Sequence, residues 1–374
     1  VALETSTYYA LGIPLYGLLM AGEHWLGRRR GQVVYRLADD LGNLACGMGQ
    51  ILMGLFLGPL MLWLYTYGFE LRVVSLAELP GGERGPVVWG LSLVLVDLCY
   101  YFYHRAGHRL RVLWTVHQVH HQSDGFNFAV ALRQPYLSDL YAVFFYFPLP
   151  LLGIPLDVFF ATVAFSSLNQ ITLHTRFLPR RSFGIFNTPA LHQLHHAKNA
   201  IYADANFGAM FIVWDRLFGT YVARDPSEPP VLGIKEGYPT HDSVRAQWLG
   251  VERRLWTRRA RASEIIPRSD KRAALVLFGL ITAAAAVVLV LQQRLPMPVL
   301  AAMTVALLFG YRAVGRLLDG RSEVGDEGVA VLADGPGEVT HGLVDALGHG
   351  LIVGAGDHGD AKGLPVAHGD LQGE

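Results

Sequence analysis

Eight histidines fall into three groups with spacings that suit metal ligation from a helix face. His104 and His108 stand at i, i+4, while His117, His120 and His121 stand at i, i+3, i+4, and His192, His195 and His196 repeat that second spacing. On a helix of 3.6 residues per turn each group shares one face. Neutral imidazole is a common ligand for zinc, copper, iron and nickel. With the isolated His174, nine of the fifteen histidines lie between positions 104 and 196, more than one four- to six-coordinate ion can use. The spacing therefore predicts two metals.

A histidine on an apolar face is ordinarily a hydrogen-bonded core residue, and His24 is read that way. The same reading fails for the clusters, because stacked imidazoles without a metal leave many buried nitrogens in need of partners. His174 ends an apolar run alone, and its spacing leaves it open as a ligand or a core residue. The four histidines after residue 340 sit in a Gly-rich stretch without matching spacing and are read as solvated.

These groups must be positioned by membrane helices. The chain is 52% hydrophobic and 17% charged, with positive mean hydropathy, too little charge for a soluble protein of this length. Apolar runs long enough to span occur at Tyr8–Gly27, Gly42–Tyr67, Val87–Tyr103, Arg272–Gln292 and Met297–Val314. Leu137–Leu173 holds two shorter runs broken at Gly153, Ile154 and Pro155, and reads as a helical hairpin with its turn at the far side, giving about seven crossings. The first run lacks a basic leader and a small-residue cleavage site, so it reads as a retained helix. Arginines at 28–30, 105–111, 176–181 and 253–261 all fall on one side if each run crosses once, and the positive-inside rule makes that side cytoplasmic. The fold class expected is an all-α integral membrane protein, a helical transmembrane bundle with a cytoplasmic histidine-rich di-metal cap. Cys46 and Cys99 fall inside spans and suggest neither disulfide nor thiolate site.

Asp97 lies seven residues before His104, on the same helix face and two turns deeper. An ionisable group there is expensive, and it is a candidate to receive the second ring N–H of a ligating imidazole. Asn127, Asp204 and Asn206 are further polar candidates to support the ligands, as are Asp124, Arg133, Gln134 and Asp215. Trp114, Trp214, Tyr202 and Phe207 surround the clusters and read first as headgroup-level belt residues.

The ordered clusters, with the segment HQVHHQSDGFNFAVALRQ from His117 and the stretch from Asn187 to Thr220 ending in WDRLFGT, resemble the fatty acid hydroxylase and sterol desaturase superfamily. Within it they look more like alkylglycerol monooxygenases than sterol C5-desaturases. The likeness runs from about Asp97 to Tyr221. It implies a membrane-bound non-haem di-iron centre that hydroxylates or desaturates a lipid with O2. In alkylglycerol monooxygenases, hydroxylation beside the ether oxygen gives a hemiacetal that collapses to an aldehyde and glycerol. Carried over by motif, His104, His108, His117, His120, His121, His192, His195 and His196 become iron ligands, and His174 matches an additional isolated histidine of the family.

The implied partners are a lipid, the bilayer, O2 and an external reductant, either tetrahydrobiopterin or an electron-transfer protein, and no nucleic acid. One departure stands out: alkylglycerol monooxygenases carry an acidic residue after the second histidine, where this chain has Arg109. The domains expected are N-terminal spans at 1–86, a fatty acid hydroxylase-like catalytic domain at 87–225, a basic cytoplasmic connector at 226–271, C-terminal spans at 272–316 and an acidic, unstructured Gly-rich tail at 317–374. Imidazole alone does not choose iron over zinc or copper. A zinc membrane hydrolase, which here lacks the His-Glu-x-x-His general base, and a non-catalytic metal-binding or transport protein are the alternatives.

Overall fold

The computed structural model describes residues 5–177, 184–235, 240–255 and 270–320, all within one compact unit, and the regular elements among them are helical. The tail from residue 321, its four histidines and residues 256–269 of the basic connector lie outside the described residues. In chain order the helices are α1 (Thr5–Arg29), α2 (Leu37–Glu70), α3 (Pro86–Arg109), α4 (Arg111–His121), α5 (Phe128–Ala131), α6 (Ser138–Tyr146), α7 (Pro148–Leu151), α8 (Leu156–Leu173), α9 (Pro189–His195), α10 (Val213–Leu217), α11 (Ser243–Leu255), α12 (Lys271–Leu291) and α13 (Met297–Leu318).

Among the described residues, five helices are long and apolar enough to cross a membrane: α2, α3, α8, α12 with its following turn to Arg294, and α13. That is fewer than the seven crossings the apolar runs suggest, and the two differences have separate causes. α1 forms as one helix, but its tyrosines, glycines, Glu23 and His24 dilute the run. The descending arm of the predicted hairpin is broken into α6 and α7, about half the roughly 20 residues a spanning helix needs for the nine-residue α6 alone. Its turn falls where the sequence places it. Gly153 takes φ +81° against the Val74 carbonyl, Pro155 leads into α8, and Tyr65 donates its hydroxyl to the Ile154 carbonyl at 2.9 Å.

Local sequence sets the helix starts that matter for the site. Pro86 opens α3 after Gly85, and Pro189 opens α9 after Thr188, whose hydroxyl accepts the Leu191 N–H. α3 ends at Leu110, which turns to extended backbone and lets α4 fold back beside it. α12 and α13 pack on α2 through Leu41, Leu52, Ala285, Leu300 and Leu307.

Small residues allow the closest helix approaches. Gly250 of α11 lies against α4, where an added Cβ would stand 2.6 Å from the Thr115 carbonyl and collide with the Gln118 amide. Gly250→Val is therefore expected to push α11 off α4, costing about 1–3 kcal/mol by overpacking. A lowered thermal midpoint in detergent, together with weakened metal retention, is the expected result; an unchanged midpoint would contradict this packing.

Candidate metal centre

The nine clustered histidines are gathered at one end of the bundle by four elements. The last turns of α3 carry His104 and His108, α4 carries His117, His120 and His121, His174 caps α8, and α9 with its C-cap carries His192, His195 and His196. They sort into two groups: His104, His108, His117, His121 and His195 in one, His120, His174, His192 and His196 in the other. Within each group the candidate ligand atoms all lie within 4.8 Å of one another.

The division cuts across the sequence clusters for a geometric reason. At about 100° per residue, positions i and i+4 nearly coincide around a helix while i+3 lies to one side. His117 and His121 thus turn to one group and His120 to the other, and His192 and His196 part from His195 in the same way. The groups adjoin, with ring centroids of His121 and His196 at 4.4 Å and of His120 and His121 at 5.3 Å.

Backbone carbonyls orient four of the rings. His104 Nδ1 faces the Phe207 carbonyl at 2.8 Å, His120 Nδ1 that of Arg133 at 3.0 Å, His174 Nδ1 that of Gln170 at 2.8 Å and His195 Nδ1 that of Ala205 at 2.8 Å. A carbonyl only accepts, so each Nδ1 carries the hydrogen and each neutral ring presents a lone pair on Nε2. Among the described residues, His104 Nε2 and His195 Nε2 are buried without a hydrogen-bond partner. His120 Nε2 and His174 Nε2 face one another at 3.3 Å, lone pair against lone pair. Such an approach is unfavourable unless a cation lies among the nitrogens.

Further Nε2 pairs at 3.1 to 3.3 Å (His108–His121, His117–His121, His174–His192 and His192–His196) have the spacing of ligands around one ion. A metal–nitrogen bond of about 2.1 Å gives ligand edges of about 3.0 Å in an octahedron and about 3.4 Å in a tetrahedron. The donor set fits two metal ions.

Burial keeps these imidazoles neutral. It pushes His120 down to about 4, and it lowers His117, His121, His174, His192, His195 and His196 as well, with neighbouring imidazoles adding to the effect in all six. The folded pKa values lie below the unfolded histidine value of about 6.5, so between them the unfolded chain binds more protons. The metal-free protein is accordingly expected to lose stability as pH falls from about 6.5 through about 4. Thermal midpoints at pH 8 and pH 5 test this, and equal values would contradict it.

The carboxylates and amides singled out in the sequence mostly hold backbone rather than imidazole. Asp97 is fully buried, but it accepts hydrogen bonds from Met210 N–H at 2.7 Å, Phe211 N–H at 3.2 Å and Trp214 Nε1 at 2.9 Å, not from a histidine ring. The expected contact fails because Met210, Phe211 and Trp214 take up the carboxylate, and the His104 Nδ1 meets the Phe207 carbonyl instead. Asn127 caps α5 and donates to the Val34 carbonyl and Asp40. Asn206, at φ +58°, donates to the Leu191 and Val222 carbonyls and so fixes a loop whose flanking carbonyls, Ala205 and Phe207, orient two rings. Asp204, at φ +56°, stands 3.7 Å from His108 Nδ1 and 3.6 Å from Arg109 Nε.

Of the four aromatics read as belt residues, Tyr202 and Phe207 are fully buried, Trp214 donates to Asp97, and Trp114 and Phe207 lie 5.0 and 5.2 Å from the His108 ring centroid, so the last two wall the site. His24 is exposed rather than core, and its neighbour Glu23 is the buried one, accepting from Tyr35, Thr175 and the Phe128 N–H. An acidic residue at the end of an apolar run was the available signal for Glu23. Arg133, also buried, reaches the Val119 and Thr240 carbonyls, Asn43 and Gln122.

An all-helical chain with membrane-length helices and a polyhistidine centre at one end defines the class: a multi-pass integral membrane protein with a site able to bind metal. Residues 89–220, which hold every clustered histidine, match the family model of fatty acid hydroxylases. It is similar to alkylglycerol monooxygenase of Homo sapiens, 32% identical over 66% of this chain and 54% of the relative, and to that of Danio rerio, 34% identical over 65% and 52%. It is also similar to ornithine lipid hydroxylase OlsE of Rhizobium tropici, 31% identical over 38% of this chain and 44% of the relative. The chain spans about half the length of the alkylglycerol monooxygenases it matches in those two animals. No solved structure matches.

Proposed function

We propose that this chain is a membrane-bound non-haem di-iron oxygenase that hydroxylates or desaturates a lipid with O2, with the nine clustered histidines as the iron ligands. The observation that carries the reading is the facing pair His120 Nε2 and His174 Nε2, two buried lone pairs at 3.3 Å within a four-histidine set beside a five-histidine set. Bound iron would supply O2 activation. The chain's own part is to hold neutral imidazoles in fixed orientation through backbone carbonyls and to exclude water with buried Phe126 and Phe207.

The likeness to alkylglycerol monooxygenases supports an alkylglycerol ether lipid as the substrate. Hydroxylation beside the ether oxygen consumes O2, two electrons and two protons, releases water, and gives a hemiacetal that separates into aldehyde and glycerol. The electrons come from a reduced pterin or an electron-transfer protein. Arginines at the histidine end support a cytoplasmic site: Arg30 lies 5.0 Å from the Phe177 ring centroid and Arg36 lies 3.6 Å from Asp124.

The test is metal analysis and oxygen uptake on protein purified in detergent. Two irons per chain, reductant-dependent O2 uptake and a fatty aldehyde from alkylglycerol with tetrahydropterin are expected. Stoichiometric zinc with lipid hydrolysis under argon would replace this reading, and hydroxylation of a sterol or fatty acid without aldehyde release would change the substrate alone.

A further inference from the structure

The two histidine groups differ in their access to solvent. All four members of the His120 group are buried, whereas the other group includes His108, a partly exposed residue whose ring is 6% exposed. A cavity of about 110 Å³ opens onto His108, His121 and His195 of that group, and reaches His196. Trp114 forms one wall, and Lys198, Lys235 and Asp204 stand at its sides.

Its chemistry does not suit a lipid. The volume holds a few waters or one small ion, and charged groups line it. Arg109 lies 3.6 Å from Asp204 and balances its carboxylate, so the two lysines leave the opening with net positive charge. The arginine that departs from the alkylglycerol monooxygenase pattern thus pairs with a residue that lines this opening.

We infer that this cavity is a port by which small polar solutes, anions in preference to cations, reach the five-histidine group without passing through the bilayer. The port deepens the oxygenase reading, since a buried oxygen-reducing site needs a polar path for protons and released water. Its selectivity can nevertheless be measured without metal or turnover.

The first measurement places a thiol in the port by Ala203→Cys, Ala203 being an exposed lining residue, and compares mixed-disulfide formation, with release of methanesulfinate, by an anionic sulfonatoethyl and a cationic trimethylammonioethyl methanethiosulfonate. The unsubstituted protein, with Cys46 buried and Cys99 partly buried, gives the background. The anionic reagent is expected to react about tenfold faster, relative to the ratio for a free thiol, and K198E with K235E to reverse the preference. The second measurement titrates azide into cobalt(II)-loaded protein and follows the visible spectrum. Azide is expected to perturb the spectrum with an affinity that falls about tenfold in the lysine double variant.

An unchanged thiol-modification ratio in the double variant would overturn the port whatever the metal result. Cobalt binding with an azide affinity indifferent to the lysines would do the same. Failure of iron-dependent turnover with the charge preference intact would instead strike the oxygenase reading and leave the port standing.

Discussion

Replacing His192 by Ala is expected to lower the metal content from two ions to one per chain, and replacing His104 by Ala to do the same by emptying the other group. His192 Nε2 lies 3.1 Å from His174 Nε2 and 3.2 Å from His196 Nε2, so its loss removes one corner of the four-histidine set. His104 offers a buried Nε2 with no partner among the described residues, held by the Phe207 carbonyl. Loss of a group that merely supports a ligand costs about 10- to 100-fold in metal affinity or activity, so loss of a ligand should cost more than about 100-fold in turnover. Metal analysis separates the two groups: the double variant should bind none. Two ions retained in either single variant would reject the assignment of that histidine, and parallel loss of both ions from each would show the groups to be one cooperative unit.

The histidine spacing makes the candidate centre legible because ligation needs several side chains on one helix face, and that requirement leaves a periodic trace in the chain. The same periodicity separates His120 from His117 and His121, and His195 from His192 and His196, but it could not say which of these subsets come together into the sets of five and four. That depends on how α3, α4, α8 and α9 meet in the fold, which spacing along one helix does not carry. The hairpin turn at Gly153–Pro155 was legible since glycine and proline interrupt an apolar run for backbone reasons. The crossing count was less so: beyond Asp139, α6 and α7 are apolar, and only the observed break between Tyr146 and Pro148 makes them too short. What fixes the imidazoles left no trace at all. The acceptors are the carbonyls of Arg133, Gln170, Ala205 and Phe207, and every residue type carries a carbonyl.

Asp97→Ala is expected to damage folding before it affects metal chemistry. The carboxylate lies at zero exposure inside α3 and takes the N–H groups of Met210 and Phe211 and the Trp214 indole. Each buried donor left unpaired costs roughly 1–3 kcal/mol, and three of them approach the whole stability of an ordinary domain. Segment 207–214 also carries the Phe207 carbonyl that orients His104, so a shift there reaches the centre through one ring. Asp97→Asn keeps the shape and one acceptor oxygen, but turns an NH2 toward a donor. It should fold with a lowered thermal midpoint and bind metal more weakly in the five-histidine group than in the four-histidine group. Had Asp97 served an imidazole proton directly, as its position seven residues before His104 suggests, Asp97→Asn would leave the midpoint unchanged and alter metal affinity alone. Thermal unfolding in detergent beside metal analysis of the two variants decides between these outcomes, and an Asp97→Ala protein with the parent's midpoint would refute the anchoring role.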